Sequence, residues 1–174
     1  MIIETERLIL RPVTIKDTQD IYNNSKEIEV GINAGWKPHA SIEETKKIMR
    51  EIFLSKEYIF AIENKESKKV IGTIGIIDDP KRLNDKSRML GYSIGKDYWG
   101  EGFMTEAAKA VCNAGFNTLN LDIISAYCYP NNKRSKRVLE KCGFEYEGCL
   151  RLSEVLFNGT VADNECYSCL NPKL

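Results

Sequence analysis

The chain has no surplus charge, no long apolar run and almost no histidine. Lys+Arg and Asp+Glu each count 25 in 174 residues, so the formal net charge is zero. Nothing in that balance attracts DNA, RNA or an anionic membrane, and neither nucleic acid nor membrane is expected as a partner. No apolar stretch approaches the roughly 18 residues that span a bilayer. The opening residues, Met1-Ile2-Ile3-Glu4-Thr5-Glu6-Arg7, mix acids into apolar positions and lack the order of a secretory signal. A cytoplasmic location is the expectation, and the six cysteines are then thiols. Cys112, Cys128, Cys142, Cys149, Cys166 and Cys169 sit in apolar-looking segments, where cysteine acts as a small hydrophobe. Cys166-Tyr167-Ser168-Cys169 has CxxC spacing, but no second pair or nearby histidine completes a metal site, so no metal is expected. With no low-complexity tract, repeat or Pro/Gly-rich linker, residues 1–174 read as a single domain.

What is present is a run of punctuated elements. Arg7 to Val13 reads as a strand, and Thr14 to Asn24 as a short helix. A loop with Gly31, Gly35, Trp36, Pro38 and His39 follows. Ser41-Ile42-Glu43-Glu44 is a capping box opening a helix with Ile48, Ile52 and Phe53. Tyr58–Glu63 and Val70–Ile77 flank a polar turn and read as a hairpin, and Met89–Ile94 as a further strand. Phe103–Phe116 carries an apolar stripe at helical spacing. Asp122–Tyr129 is a strand stopped by Pro130. Asn132–Cys142 is a helix with Asn132 as N-cap and Gly143 at the left-handed C′ position. Glu145–Leu156 and Thr160–Leu170 are strands turning at Asn158-Gly159. Seven strands interleaved with helices give an α/β (α+β layered) domain with a mixed sheet.

Two segments carry chemistry. In Leu90-Gly91-Tyr92-Ser93-Ile94-Gly95-Lys96-Asp97-Tyr98-Trp99-Gly100-Glu101-Gly102-Phe103-Met104-Thr105 a strand runs through glycines directly into a helix. Glycine lets backbone approach a ligand, and a helix start offers unpaired N–H groups to phosphate. A pyrophosphate site over Gly100–Thr105 and a plain tight turn are both compatible with that pattern. Neither phosphate-loop fingerprint of kinases or dinucleotide enzymes is complete. The second segment, Asn131-Asn132-Lys133-Arg134-Ser135-Lys136-Arg137-Val138-Leu139-Glu140-Lys141-Cys142-Gly143-Phe144, is a capped helix with a basic face, which solvent exposure alone would also explain.

In this order and separation the two segments resemble the coenzyme A signature and the Asn-x-x-Ser…Gly-Phe segment of the GNAT superfamily of N-acetyltransferases. Thr5-Glu6-Arg7-Leu8-Ile9-Leu10-Arg11-Pro12, Gly35-Trp36-Lys37-Pro38-His39, Tyr98-Trp99-Gly100-Glu101-Gly102 and Glu147-Gly148-Cys149-Leu150-Arg151 resemble the ribosomal-protein N-terminal acetyltransferase branch. The resemblance implies a largely antiparallel seven-stranded sheet with a splayed central strand pair and helices on both faces. It implies acetyl-CoA as acetyl donor and a primary amine, on a protein N-terminus or a small molecule, as acceptor. Tyr92, Ser93 and Ile94 would contact pantetheine, one N–H polarising the thioester carbonyl. Gly100, Glu101, Gly102, Phe103, Met104 and Thr105 would hold the pyrophosphate. Asn132 and Ser135 would reach the pantetheine, with Lys133, Arg134 or Arg137 near the nucleotide phosphates. Proteins of this branch also form dimers, so a homodimer through the apolar final strands is expected.

The chain departs from the family where Trp99 and Met104 begin and end the loop, and where Met89 and Leu139 replace a glutamate and a tyrosine. The resemblance assigns Ser135 to protonating the departing thiolate and Glu154 to taking the amine proton. Asp163, a water held through Tyr127 (which stands where another branch has a catalytic glutamate) and the lone His39 are lesser candidates for the base. Trp36 and His39 would line the acceptor entrance. Two other readings stay open: a non-catalytic acyl-CoA-sensing module, and a cysteine acyl-enzyme through Cys149 or Cys142.

Overall fold

Strand β3 (Ile59–Asn64) faces two cores at once. Phe60 and Ile62 belong to one buried cluster and Ile59 and Ala61 to another, because successive side chains of a strand point to opposite faces. Both faces of the sheet are therefore covered. The structure, a computed structural model, describes all residues except Ser55. The other strands are β1 (Ile3–Glu4), β2 (Leu8–Pro12), β4 (Val70–Ile77), β5 (Ser87–Ile94), β6 (Ile123–Cys128), β7 (Glu145–Val155) and β8 (Val161–Leu170). They lie in the order β1-β2-β3-β4-β5-β6-β8-β7, antiparallel throughout except for the parallel pair β5–β6. The sheet has eight strands rather than seven, since Ile3 and Glu4 pair with Leu10 and Ile9. Two residues are too few for an alternating pattern to show.

Among the described residues five α-helices complete the layers: α1 (Thr18–Ser25), α2 (Ile28–Ala34), α3 (Ile42–Ile48), α4 (Phe103–Asn117) and α5 (Lys133–Lys141). Ile21 of α1 and Met49, just beyond α3, bury with Val13, Ile59, Ala61 and Val70 on one face. Met104, Ala107, Ala108 and Val111 of α4 and Leu139 of α5 fill the other. Ser41 caps α3 by accepting from the Glu44 amide, while Glu44 reaches back to the Ala40 N–H. Helix α2 lies in what the sequence presents as loop. Its Ile28 and Ile32 are exposed and only Val30 and Gly31 bury, so no apolar stripe marks it. None of the described helices is long and apolar enough to cross a membrane.

The feature that positions the site is the parting of β5 from β6. Their pairing runs from Ser87↔Ile123 to Met89↔Ser125 and stops. Strand β5 continues to Ile94, held by β4 alone, and β6 continues to Cys128, held by β8 alone. A wedge opens in the middle of the sheet, and it carries the chemistry below.

Candidate active site

On one side of the wedge, β5 presents free backbone. The Gly95 N–H donates to Ile71 O on the β4 side. Backbone groups alternate along a strand, so those of Tyr92 and Ile94 face the edge that β6 has left. The Ile94 carbonyl there accepts from the indole Nε1 of Trp99 at 3.0 Å, which leaves the Tyr92 and Ile94 N–H groups directed into the gap. The adjoining cavity, about 250 Å³, is lined by these residues, by Gly100 and Gly102–Thr105, and by Asn132, Arg134, Ser135 and Arg137. Gly100 and Gly102 have φ of 86° and 80°. A Cβ at Gly100 would meet nothing within 4 Å, and one at Gly102 only Arg7 Nη2 at 3.5 Å. The loop is thus a cradle that a side chain would fill. Gly102 precedes α4, whose first intrahelical bond in this region is Glu106 N–H to Gly102 O; the N–H groups before it lie at the positive end of the helix.

The loop is braced from the other end of the chain. Glu106 accepts from Thr5 Oγ1 at 2.6 Å, the Arg7 amide at 2.8 Å and Arg7 Nε at 2.7 Å. These bonds outweigh the effect of burial and hold the Glu106 carboxyl below its usual range. Arg7 also donates to the Glu101 carbonyl and lies over the Phe103 ring. Arg134 stacks on the Trp99 ring at 3.8 Å, so the tryptophan at the loop's first position both satisfies Ile94 and carries a cation. A diphosphate and its nucleotide fit this set of glycine backbone, helix start and arginines.

On the other side a cavity of about 550 Å³ lies between α2, the turn after α3, and the sheet. The two cavities share Asn33, Ala34, Tyr92, Ser93, Asn132 and Ser135. Asn132 caps α5 by accepting from the Ser135 amide and donates through Nδ2 to Asn33 O, tying α5 to α2. The Tyr92 hydroxyl lies 2.8 Å from Ser135 Oγ; burial pushes the Tyr92 phenol far up, so it stays protonated. Glu154 projects from β7, accepting from Asn164 Nδ2 at 3.1 Å. Tyr129, whose phenol is raised by burial and then by the Glu154 carboxylate, stands beside it. At Gly35 (φ 84°) a Cβ would come within 2.3 Å of the Tyr129 hydroxyl, so the end of α2 closes directly over that pair.

Residues 7–145 match the family model for the acetyltransferase (GNAT) domain. The chain belongs to the GNAT acetyltransferase family. An uncharacterized N-acetyltransferase, YoaA of Bacillus subtilis (strain 168), is 35% identical, and the match covers 99% of this chain and 98% of that one. Among solved structures, a GNAT-family acetyltransferase from Bacillus anthracis superposes with a TM-score of 0.86 at 25% identity, covering 98% of this chain and 99% of the other. Spermidine N-acetyltransferase from Vibrio cholerae, solved with CoA and spermine, shares the fold, with a TM-score of 0.80 at 22% identity over 97% of this chain and 98% of its own. The protein is an acetyltransferase enzyme.

In this acetyltransferase most of the residues singled out from sequence line one of the two cavities. Tyr92, Ser93, Ile94, Gly100, Gly102, Phe103, Met104, Thr105, Asn132, Ser135 and Arg137 line the first. Trp36, Tyr127 and Glu154 line the second. Glu101 lines neither; its part is the carbonyl that anchors Arg7. His39 does not line the second cavity. It is buried, its Nδ1 3.0 Å from Thr45 Oγ1 and its amide donating to Ser25 O. Burial holds its pKa below the ordinary value. A lone histidine in a polar loop looked available because nothing local shows that α3 closes over it. Asp163 lies outside the cavity and accepts from the Leu152 amide. Neither Cys142 nor Cys149 lines a cavity, and burial pushes the Cys142 thiol up to about 11. No group of three or more His, Cys, Asp or Glu is placed to hold a metal among the described residues.

The parts that Tyr129, Asn164, Gly35, Arg7, Glu106 and Asp79 play around the cavities were not evident from sequence. Asp79 is buried, receiving hydrogen bonds from Ser125 and, at 3.0 Å to each oxygen, from the Tyr127 hydroxyl. Burial, with the Asp79 carboxylate alongside, pushes the Tyr127 phenol up to about 12. Tyr127 is therefore a held hydrogen-bond donor, which leaves Glu154 as the carboxylate that opens on the cavity.

Proposed function

We propose that this acetyltransferase moves acetyl from acetyl-CoA to a primary amine by direct attack in a ternary complex, within one domain spanning residues 1–174. The observation that carries the reading is the junction of the two cavities at Tyr92, Ser93, Asn132 and Ser135. A donor lying in the first and an amine in the second would meet there and nowhere else along the wedge. Gly100–Thr105, Arg134 and Arg137 hold the phosphates and fix the thioester against β5. The Tyr92 or Ile94 N–H donates to the thioester oxygen as charge grows on it. An alkyl ammonium has pKa near about 10 and must lose a proton before attack. Glu154, oriented by Asn164 and Tyr129, takes that proton. The amine nitrogen bonds to the carbonyl carbon, the carbon–sulfur bond breaks, Ser135 gives its proton to the thiolate, and the nitrogen's second proton leaves through solvent, from which Ser135 regains its own. The Tyr92 hydroxyl, donating to Ser135 Oγ, turns the serine proton toward the sulfur.

The match to the ribosomal-protein N-terminal acetyltransferase branch rests on its ordered motifs, and it makes a protein N-terminus one acceptor to test. Leu152, Val155 and Val161 are 76%, 71% and 52% exposed at the sheet's free end, which supports a homodimer through β7 and β8; a monomeric mass by light scattering at high micromolar concentration would refute that pairing. The function is tested by following thiol release from acetyl-CoA over a panel of amines and short peptides. Turnover with at least one amine is the expected result. Tight acetyl-CoA binding with no release across the panel would point instead to a sensor.

A further inference from the structure

The acceptor cavity has a charge at each end and none between. Among its described lining residues Glu154 is the one acidic side chain and Lys81 the one basic side chain. Glu154 stands at the junction end, beside Tyr129 and against Gly35, the residue after Ala34 of the junction. Lys81 stands at the far end. Its Nζ sits 3.9 Å over the Tyr127 ring, and no carboxylate lies within ion-pair distance of it among the described residues. Tyr127 cannot swing away, because both oxygens of the buried Asp79 hold its hydroxyl and Ser125 is bonded to the same carboxylate. Asp79 in turn is offset by Arg82, which also pairs with Glu147. The lysine thus rests on a fixed aromatic platform at the rim.

The strand register sets the distance between the two ends. Ser125, at the Lys81 end, pairs with Met89, while the junction lies at Tyr92, three residues further along β5. Tyr127 lies on β6, and Tyr129 follows two residues on, just past that strand's end. At 3.3 Å per residue the ends are about 7–10 Å apart. The rest of the lining carries no charge and is largely apolar and aromatic, with Trp36, Ile52, Phe53, Ile77 and Met89 beside the neutral Thr73 and Ser153. A second ammonium has no carboxylate to meet along that path and would end against Lys81. An anionic group there would meet a cation.

Resting on the acetyltransferase reading, we infer that the acceptor is a small monoamine with an apolar body and an anionic group, carboxylate or phosphate, at its far end, rather than a polyamine. A cavity of about 550 Å³ is the size of a small-molecule site. Glu154 is the one carboxylate among this cavity's described lining residues, too few for the several ammonium groups of a polyamine.

Four probes on one eight-carbon chain test the inference: octylamine, 8-aminooctanoate, 8-aminooctyl phosphate and 1,8-diaminooctane, each followed by thiol release. Lys81 is exposed, and an exposed ion pair is worth about two- to fivefold. The expected order of kcat/KM places the two anionic amines above octylamine and the diamine below it, with the change in KM. The better of the two anionic probes identifies carboxylate or phosphate. Lys81→Glu should reverse the order, moving the ratio of aminooctanoate to diamine roughly tenfold. If octylamine turns over but the diamine equals or exceeds the anionic probes, or if Lys81→Glu leaves the order unchanged, the inference is overturned while the acetyltransferase reading stands. If no probe and no other amine is acetylated, the reading beneath it fails instead.

Discussion

Gly102→Val separates binding of the donor from stability of the fold. Gly102 has φ of 80°, and a left-handed conformation costs an L-residue roughly 1–2 kcal/mol. A chain of this size loses about 2–4 °C of Tm per kcal/mol, so the variant should melt about 2–8 °C below the parent without ligand. Only Arg7 Nη2, at 3.5 Å, would stand near the new Cβ. Packing adds little, and the side chain projects instead into the space assigned to the diphosphate. Coenzyme A at a hundredfold excess over Kd should stabilise the parent by about 2.7 kcal/mol, or about 5–11 °C. Gly102→Val should abolish that second shift. Gly159→Val is the control: Gly159 has φ of 82° with nothing within 4 Å of its Cβ, but lies in the β7–β8 turn. It should lose a similar amount of intrinsic stability and keep the whole coenzyme A shift. Both variants are read by thermal melting with and without coenzyme A, and binding is checked by calorimetry. A Gly102→Val protein that keeps the full shift would refute the placement of the phosphates.

The remaining expectations concern the proton transfers and one buried histidine. Glu154→Gln should lower kcat by about 10²–10⁴-fold, with partial recovery at high pH or with an amine of low pKa, since solvent then removes the proton; a loss under fivefold with the parent pH profile would make Glu154 a bystander. Ser135→Ala should lower kcat with acetyl-CoA affinity kept and no recovery at high pH, the pattern of an interaction made only in the transition state. Tyr92→Phe removes the 2.8 Å bond to Ser135. It should reduce kcat about fivefold at unchanged KM for acetyl-CoA, as for a bond worth about 1 kcal/mol, and add nothing to Ser135→Ala; additive losses would assign Tyr92 a separate role. Burial depresses His39 below its ordinary 6.5, so the folded state binds fewer protons than the unfolded chain. Its share of stability is present above about pH 6.5 and falls away as pH drops below it, and His39→Gln should flatten that part of a urea-midpoint profile.

Elements whose boundaries are written in local chemistry were legible before any coordinates. Asn132 caps α5, Ser41 caps α3, and Asn158-Gly159 turns the last hairpin, because each depends on residues within a turn of one another. The lining of the first cavity was legible for the same reason: its glycines, the helix start and Asn132 fall in two continuous segments. Strand β1 and helix α2 were not, being too short or too exposed to print a period on the sequence. The second cavity is tertiary. Glu154 takes its orientation from Asn164 on β8 and Tyr129 after β6, with Gly35 closing over them from α2. No spacing brings four such distant positions together. Trp99 shows the converse case, a departure from the family's pattern whose compensation, the bond to Ile94 and the stack with Arg134, is visible only in three dimensions.

The most direct test of acetyl transfer in a ternary complex has two steps with one protein sample. The enzyme is first held with acetyl-CoA alone and its intact mass measured; an acceptor amine is then added and free thiol followed against acetylated product. The account predicts an unmodified protein mass, no thiol before the amine, and one thiol per acetylated amine after it. A stably acetylated protein with thiol released before any amine is present would contradict it.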